Sequence, residues 1–330
     1  MIKIGTYKLP GKIIMAPLSG CTDLAFRLMA RRYGAKLCFL EMADANSLVH
    51  QDVGITEFFK TNREDQPLAA QLVGGEPAAM VEALQRLLTL VKPAFIDINA
   101  ACPVRKMVGK KAGSYLIFEP ARLYRIVEGV VAASSLPVTV KLRTGFERRD
   151  RRHLLTIARN LAKRGVAAIF IHGRTRGQGY SGEVDYAAIK AVKEAVTIPV
   201  FGSGNIFSPE LAKKMFDLTG CDGITVARGA LGHPWIFRRI EHYLKDGKLS
   251  LEPSSRAKMT ALKEHLALLA EHRRTSQLGW MRKVAIWYLK GFPDACEWRN
   301  RFGRAKSYEE MLGLIDEQQE KHQADPAEKE

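Results

Sequence analysis

The sequence predicts an α/β protein: a (β/α)8 TIM barrel over residues 1–240, followed by a small C-terminal helical domain over residues 241–330. Three observations predict it. Eight short apolar runs recur at regular intervals, at residues 12–16, 37–42, 68–73, 94–99, 137–142, 167–172, 198–202 and 223–227. Their near-continuous apolarity fits strands buried on both faces of a parallel sheet. Segments with helical spacing lie between them, and beyond residue 240 the strand signal stops.

In chain order, the first run ends in Pro17-Leu18-Ser19-Gly20-Cys21. A doubly wound sheet would place G-x-G-x-x-G there, so the barrel is preferred. No helix of ordinary length is expected on this first connection. Helices are expected at residues 77–91, 120–133, 153–164, 186–195 and 209–218, several opened by Pro, Asp or Ser. Residues 246–248 and 252–255 read as a linker. Helices are expected again at residues 256–274, 280–289, 294–302 and 307–319, and residues 322–330 are polar enough to fray.

Composition excludes several classes. The chain has 330 residues, 46% hydrophobic and 26% charged, an ordinary globular balance. No apolar run approaches the ~20 residues that span a bilayer, and residues 1–12 lack the apolar core of a signal peptide. Five widely spaced cysteines without a CxxC pair argue against a disulfide framework or a zinc site. The expectation is a cytoplasmic protein with reduced thiols and no metal. The charge is less ordinary: 51 Lys+Arg against 35 Asp+Glu give +16, which points to a polyanionic partner.

Barrels place their chemistry where strands end, and those positions carry the candidates. The fourth strand ends Asp97-Ile98-Asn99-Ala100-Ala101-Cys102-Pro103, putting Cys102 on a loop at the mouth as a nucleophile or proton donor. Lys141 lies in the otherwise apolar fifth strand, where an ammonium needs an anion or an electron-rich ligand. His172 closes the sixth strand. Gln71, in the third, can hydrogen-bond a planar heterocycle. After strands seven and eight come Gly202-Ser203-Gly204-Asn205 and Ala227-Arg228-Gly229, the usual barrel phosphate site, where Arg228 can add a charge-assisted contact. One phosphate plus one ring that needs an amide, a cation and a donor fits flavin mononucleotide (FMN).

These residues resemble a known family. Met15-Ala16-Pro17-Leu18-Ser19-Gly20-Cys21-Thr22-Asp23, Asn99-Ala100-Ala101-Cys102-Pro103, Lys141-Leu142-Arg143-Thr144-Gly145 and His172-Gly173-Arg174-Thr175 are similar to signatures of the tRNA-dihydrouridine synthases. So are Gln178-Gly179-Tyr180-Ser181-Gly182, Arg228-Gly229 and Pro234-Trp235-Ile236-Phe237. The segment around Met281-Arg282-Lys283 resembles the bacterial B-type branch. The resemblance implies an FMN enzyme that uses NADPH to reduce the C5=C6 bond of particular uridines in tRNA. It implies FMN contacts at Pro17, Leu18, Ser19, Gln71, Lys141, His172, Ser203, Gly204, Asn205, Ala227 and Arg228. Cys102 would protonate C5 while hydride goes to C6, and Asn99 would hold the uracil. Arg143, Arg174, Arg282 and Lys283 are the expected substrate contacts. The chain departs from the family pattern at Ala101, where Gly is usual, at Ser203 and Asn205, and at Val284.

The charge is uneven. Residues 1–240 hold 35 basic and 20 acidic residues (+15), residues 256–306 hold 12 and 4 (+8), and residues 307–330 hold 2 and 8 (−6). Arg105, Lys106, Lys110 and Lys111 follow strand four; Arg143, Arg148, Arg149, Arg151 and Arg152 follow strand five. Both clusters fall on the catalytic face and suit tRNA phosphates, with residues 241–330 as a tRNA-binding domain ending in an acidic tail. The competing readings are a small-molecule FMN dehydrogenase of dihydroorotate type and an RNA-binding barrel that has lost catalysis.

Overall fold

The computed structural model describes residues 1–52, 54–272 and 277–323. Eight parallel strands close a barrel: β1 (Ile13–Met15), β2 (Cys38–Phe39), β3 (Leu68–Val73), β4 (Ile96–Asn99), β5 (Val138–Arg143), β6 (Ala168–His172), β7 (Val200–Ser203) and β8 (Gly223–Val226). Each pairs with the next, and Ile224 opposite Ile13 joins β8 to β1. Every residue of β3, β4, β7 and β8 is buried, which is why these runs are largely apolar, although Gln71, Asp97, Asn99, Ser203 and Thr225 are buried with them.

The helices start where their capping residues predict. Asp150 accepts from the N–H of His153 at 2.9 Å, Asp185 from that of Ala188 at 2.9 Å and Ser208 from that of Leu211 at 3.3 Å. Pro77, Pro120 and Pro209 occupy first turns.

The structure differs from expectation in two places before residue 70. The first connection does carry a helix, Leu24–Arg32, capped by Asp23. Its inner face includes Arg27, whose guanidinium pairs with the buried Asp65 at 2.8 Å; Arg31 reaches the same carboxylate at 3.1 Å. Two arginines facing inward broke the apolar stripe on which the sequence pattern depends. The second strand is also interrupted. After Cys38–Phe39 it resumes only at Ala43–Asp44, still pairing with β3, and between the two pieces Glu41 accepts a hydrogen bond from the Gly20 N–H.

One end of the barrel is plugged. Phe39, Phe95, Phe170 and Phe201 pack inside it, with Phe170 and Phe201 stacked at 4.6 Å between centroids. A two-stranded hairpin, Lys3–Ile4 with Tyr7–Lys8, adds Ile4 and Tyr7 to this plug. The end formed by the strand C-termini carries a cavity.

Past Ile236–Asp246, which packs on the barrel wall, four helices follow among the described residues: Ser255–His272, Gln277–Tyr288, Ala295–Arg304 and Tyr308–Gln323. Their bounds fall close to those expected. They share one apolar core with Leu24, Ala25, Leu28 and Met29 of the first helix, so that helix joins the two regions. Tyr288 and Trp298 are core here; Trp287 crosses Phe26 edge-on at 5.9 Å. Of the residues expected to fray, 322 and 323 instead end the last helix, and residues 324–330, with part of the acidic tail, lie outside the described residues. No helix among the described residues is long and apolar enough to cross a membrane.

Candidate active site

A cavity of about 520 Å³ opens at the C-terminal ends of the strands. It gathers every residue expected to hold the cofactor: Pro17, Leu18 and Ser19 after β1, Gln71 on β3, Lys141 on β5 and His172 on β6. Ser203, Gly204 and Asn205 after β7 and Ala227 and Arg228 after β8 complete the wall, and Asn99 and Cys102 stand on the same surface.

The two glycine loops fit against each other only because side chains are missing. A Cβ at Gly229 would sit inside the van der Waals radius of the Ile206 carbonyl oxygen. One at Gly204, whose φ is +130°, would press to 3.0 Å on Val184. Between these loops Arg228 is held over the rings of Tyr180 (4.7 Å) and Phe207 (5.3 Å), with Nη2 donating to Asn205 Oδ1 at 3.5 Å. Thr225 Oγ1, on the cavity lining, is a buried hydroxyl with no hydrogen-bond partner among the described residues. The donor set suits a phosphate at this end.

The other end suits a ring. The Lys141 ammonium makes no hydrogen bond or ion pair among the described residues, and burial lowers its pKa, opposed by the nearby Asp97 carboxylate. His172 is pushed down to about 2, first by burial and then by Arg143, Lys141, Arg174 and Arg228, so its imidazole is neutral. No carboxylate lines the cavity among the described residues, whereas Lys106, Lys141, Arg143 and Arg228 do. The lining is therefore positive, offset only in part by Asp97 behind it, and suits an anion or an electron-rich ligand.

Cys102 is pinned from three sides. Asn99 Oδ1 accepts from the N–H groups of Ala101 (2.9 Å) and Cys102 (2.8 Å), the Ser114 N–H donates to the Cys102 carbonyl at 3.0 Å, and Arg143 Nε donates to the Ala101 carbonyl at 2.7 Å. Burial raises the thiol pKa; a hydrogen bond from the Val104 backbone and the charges of Arg143 and Lys141 only partly offset this. The thiol is thus protonated at neutral pH, the form a proton donor needs.

The expected substrate contacts divide. Arg143 lines the cavity, but its guanidinium is occupied by the carbonyls of Ala101, Thr175 and Gly179 and lies 5.7 Å from the Tyr180 ring. Arg174 lies outside the cavity lining, 1% exposed, and donates to the carbonyls of Ser181 and Gly182, so it braces a loop. Arg282 caps a helix end, giving both Nε and Nη2 to the Ala305 carbonyl. Lys283 crosses from the helical region to the β1 loop: its ammonium donates to the Gly20 carbonyl at 2.6 Å and sits 4.5 Å over Trp280. Three of these four cations therefore serve the loops around the cavity, a role that charge alone does not distinguish from ligand binding. Sequence reasoning missed Met42, Tyr180 and Phe207 on the cavity wall. Both Tyr180, between two glycines after β6, and Met42, the last residue of the second apolar run, had a positional signal at a strand end.

Fold and site together define an enzyme barrel with a protonated thiol, two amides and a neutral imidazole facing a cationic, phosphate-suited cavity. The comparisons narrow this class. The family model described as dihydrouridine synthase matches residues 14–324. The chain is 41% identical over 323 residues to tRNA-dihydrouridine synthase B of Pseudomonas aeruginosa, covering 96% of this chain and 95% of that one. It is 36% identical over 317 residues to a probable tRNA-dihydrouridine synthase 1 of Synechocystis, covering 96% and 88%. The chain belongs to the dihydrouridine synthase family. Among solved structures the barrel is shared with the old yellow enzyme from Trypanosoma cruzi (TM-score 0.57, 14% identity, 79% of this chain and 94% of that one). It is also shared with a morphinone reductase variant (TM-score 0.55, 14% identity, 77% and 92%).

Proposed function

We propose that this protein reduces specific uridines of tRNA to 5,6-dihydrouridine, with FMN in the cavity, NADPH as reductant and Cys102 as the acid. The observation that carries the reading is the cavity itself: one wall holds Cys102, Asn99, Gln71, Lys141 and His172, the other holds two glycine loops with Arg228, and no carboxylate lines either among the described residues. When bound, FMN supplies the hydride that adds to C6 of the uracil.

The chain's own residues do the rest. Ser203, Gly204, Asn205 and Arg228 would hold the phosphate, and Pro17, Leu18 and Ser19 would contact the ring. Lys141 and Gln71 would donate to the acceptor edge of the ring, where the Lys141 ammonium would stabilise negative charge. His172, neutral, serves as a hydrogen-bonding group and adds no charge. Asn99 lies beside the thiol and positions the uracil. Cys102 Sγ holds a proton at neutral pH and delivers it to C5, after which solvent restores it. The uracil must leave the tRNA stack to enter so deep a cavity.

For the tRNA, residues 1–240 act as the catalytic domain and residues 241–330 as the binding domain. The basic loops after β4 and β5 and the +8 of residues 256–306 neutralise phosphates. Such an enzyme works in the cytoplasm. Two measurements test the reading. The purified protein should show visible flavin absorbance, and nucleoside mass spectrometry should find dihydrouridine in an unmodified tRNA incubated with it and NADPH. A colourless protein that FMN does not reconstitute would falsify the flavoenzyme, and turnover of a free pyrimidine but not tRNA would favour the small-molecule dehydrogenase.

A further inference from the structure

Behind the cavity wall runs a directed chain of hydrogen bonds. Thr139 Oγ1 donates to Asp97 Oδ1 at 2.6 Å, and Gln71 Nε2 donates to Asp97 Oδ2 at 2.6 Å. Asn99 Nδ2 donates to Gln71 Oε1 at 2.7 Å, and Asn99 Oδ1 accepts the N–H groups of Ala101 and Cys102. Asp97 is fully buried and does not line the cavity, whereas Gln71 and Asn99 do.

We infer that Asp97 is a positioning residue: as the obligate acceptor at the blind end of this chain, it holds the Gln71 and Asn99 amides in one direction. The inference rests on the function proposed above. An amide has one accepting oxygen and two donating hydrogens, so each link dictates the next. A carboxylate can only accept and backbone N–H groups can only donate, so both ends demand the same direction. Both amide oxygens are thereby consumed inside the wall. What remains for a ligand is N–H: the second hydrogen of Gln71, and that of Asn99, which meets only the weakly accepting Met42 thioether at 3.4 Å. With the Lys141 ammonium beside them, the wall offers donors and no side-chain acceptor from these three residues. It therefore selects the acceptor-rich edge of a ring. The last link holds the Cys102 loop, so the same acceptor also sets where the thiol stands.

An apolar side chain at residue 97 would leave Gln71 Nε2 buried without a partner. Reversing Gln71 to escape this would turn its NH2 onto that of Asn99, donor against donor. Asn at residue 97 avoids both problems, because its oxygen can face Gln71 while its NH2 meets Thr139 Oγ1.

The test compares Asp97→Leu and Asp97→Asn with wild type. One readout is steady-state reduction of an unmodified tRNA. The other is the rate at which iodoacetamide alkylates Cys102 in the flavin-free protein, followed by peptide mass spectrometry. Asp97→Leu should lower kcat about 10- to 100-fold with KM for tRNA within about twofold, the signature of misplaced reacting groups. It should also shift the Cys102 alkylation rate, and Asp97→Asn should restore both. A folded Asp97→Leu protein with unchanged kcat and alkylation would overturn the inference, as would an Asp97→Asn protein as damaged as Asp97→Leu. If Asp97→Leu does not fold, Gln71→Met cuts the same chain one link on, and an unchanged Cys102 alkylation rate there overturns it equally. Wild type that makes no dihydrouridine would sink the proposed function alone, since the alkylation readout needs neither flavin nor tRNA.

Discussion

Cys102 shows how little of a residue's role its type decides. Five cysteines are present, and burial raises the pKa of Cys21, Cys38, Cys102 and Cys221 alike. Only Cys102 combines a held proton with a place on the cavity wall next to Asn99. Cys102→Ala should retain FMN yet lower dihydrouridine formation about 10²- to 10⁴-fold, the usual worth of a positioned acid; full turnover would exclude the thiol. His172 is the opposite case. Burial, and then its positive neighbours, keep it neutral, so His172→Lys would add a charge where Lys141, Arg143 and Arg228 already crowd. We expect that variant to purify without flavin, measured by absorbance ratio, whereas His172→Asn should keep it. Asn205 adopts a left-handed backbone (φ 52°), which Asn tolerates better than most residues and which lets it reach the Arg228 guanidinium.

At the scale of elements, the phosphate end depends on contact between two loops rather than on either alone. Gly229 lets the β8 loop meet the Ile206 carbonyl after β7. Adding one methyl group to such a packed site costs about 1–3 kcal/mol. Gly229→Ala should accordingly weaken FMN reconstitution at least about fivefold, measured by titrating the apoprotein. The strand ends were legible because a parallel barrel buries its strands on both faces and so writes them as apolar runs. The helix Leu24–Arg32 was not, because its arginines find a buried partner 38 and 34 residues away in Asp65, a pairing that no local pattern carries. Arg174 and Arg282 looked available to substrate for a different reason: their partners are backbone carbonyls, those of Ser181 and Gly182 in the loop that follows Arg174 and that of Ala305 at a helix end, and no residue type marks a carbonyl as a partner.

For the whole molecule, net charge and buried histidines make separate predictions. The +16 should give tRNA binding a steep salt dependence, with log K falling linearly in log salt by roughly 0.7–0.9 per phosphate neutralised; a flat titration would remove the tRNA reading. His172, His233 and His265 are pushed down to about 2, about 4 and about 3, each first by burial. Below their unperturbed value of 6.5 the unfolded chain binds protons that the fold refuses, so stability falls as pH drops from 6.5 towards 4. Asp97 works against this trend. Burial raises it to about 6, so the fold holds that proton more tightly than the unfolded chain between pH 6 and 3.8. Three histidines against one aspartate leave net acid destabilisation, which thermal unfolding between pH 7 and pH 5 would detect as a falling Tm.

By itself the sequence determined the barrel, the strand ends that carry the chemistry and the family to which they belong. Each is written in local pattern: apolar runs of strand length, glycines at phosphate loops, a cysteine three residues after an asparagine. Tertiary structure alone decided which cations are free and which are already spent, that aromatic rings plug one end of the barrel, and that Asp97 stands behind the catalytic wall. These features depend on what lies across space from a side chain. A guanidinium with three carbonyl partners and one with none have the same letter in the sequence.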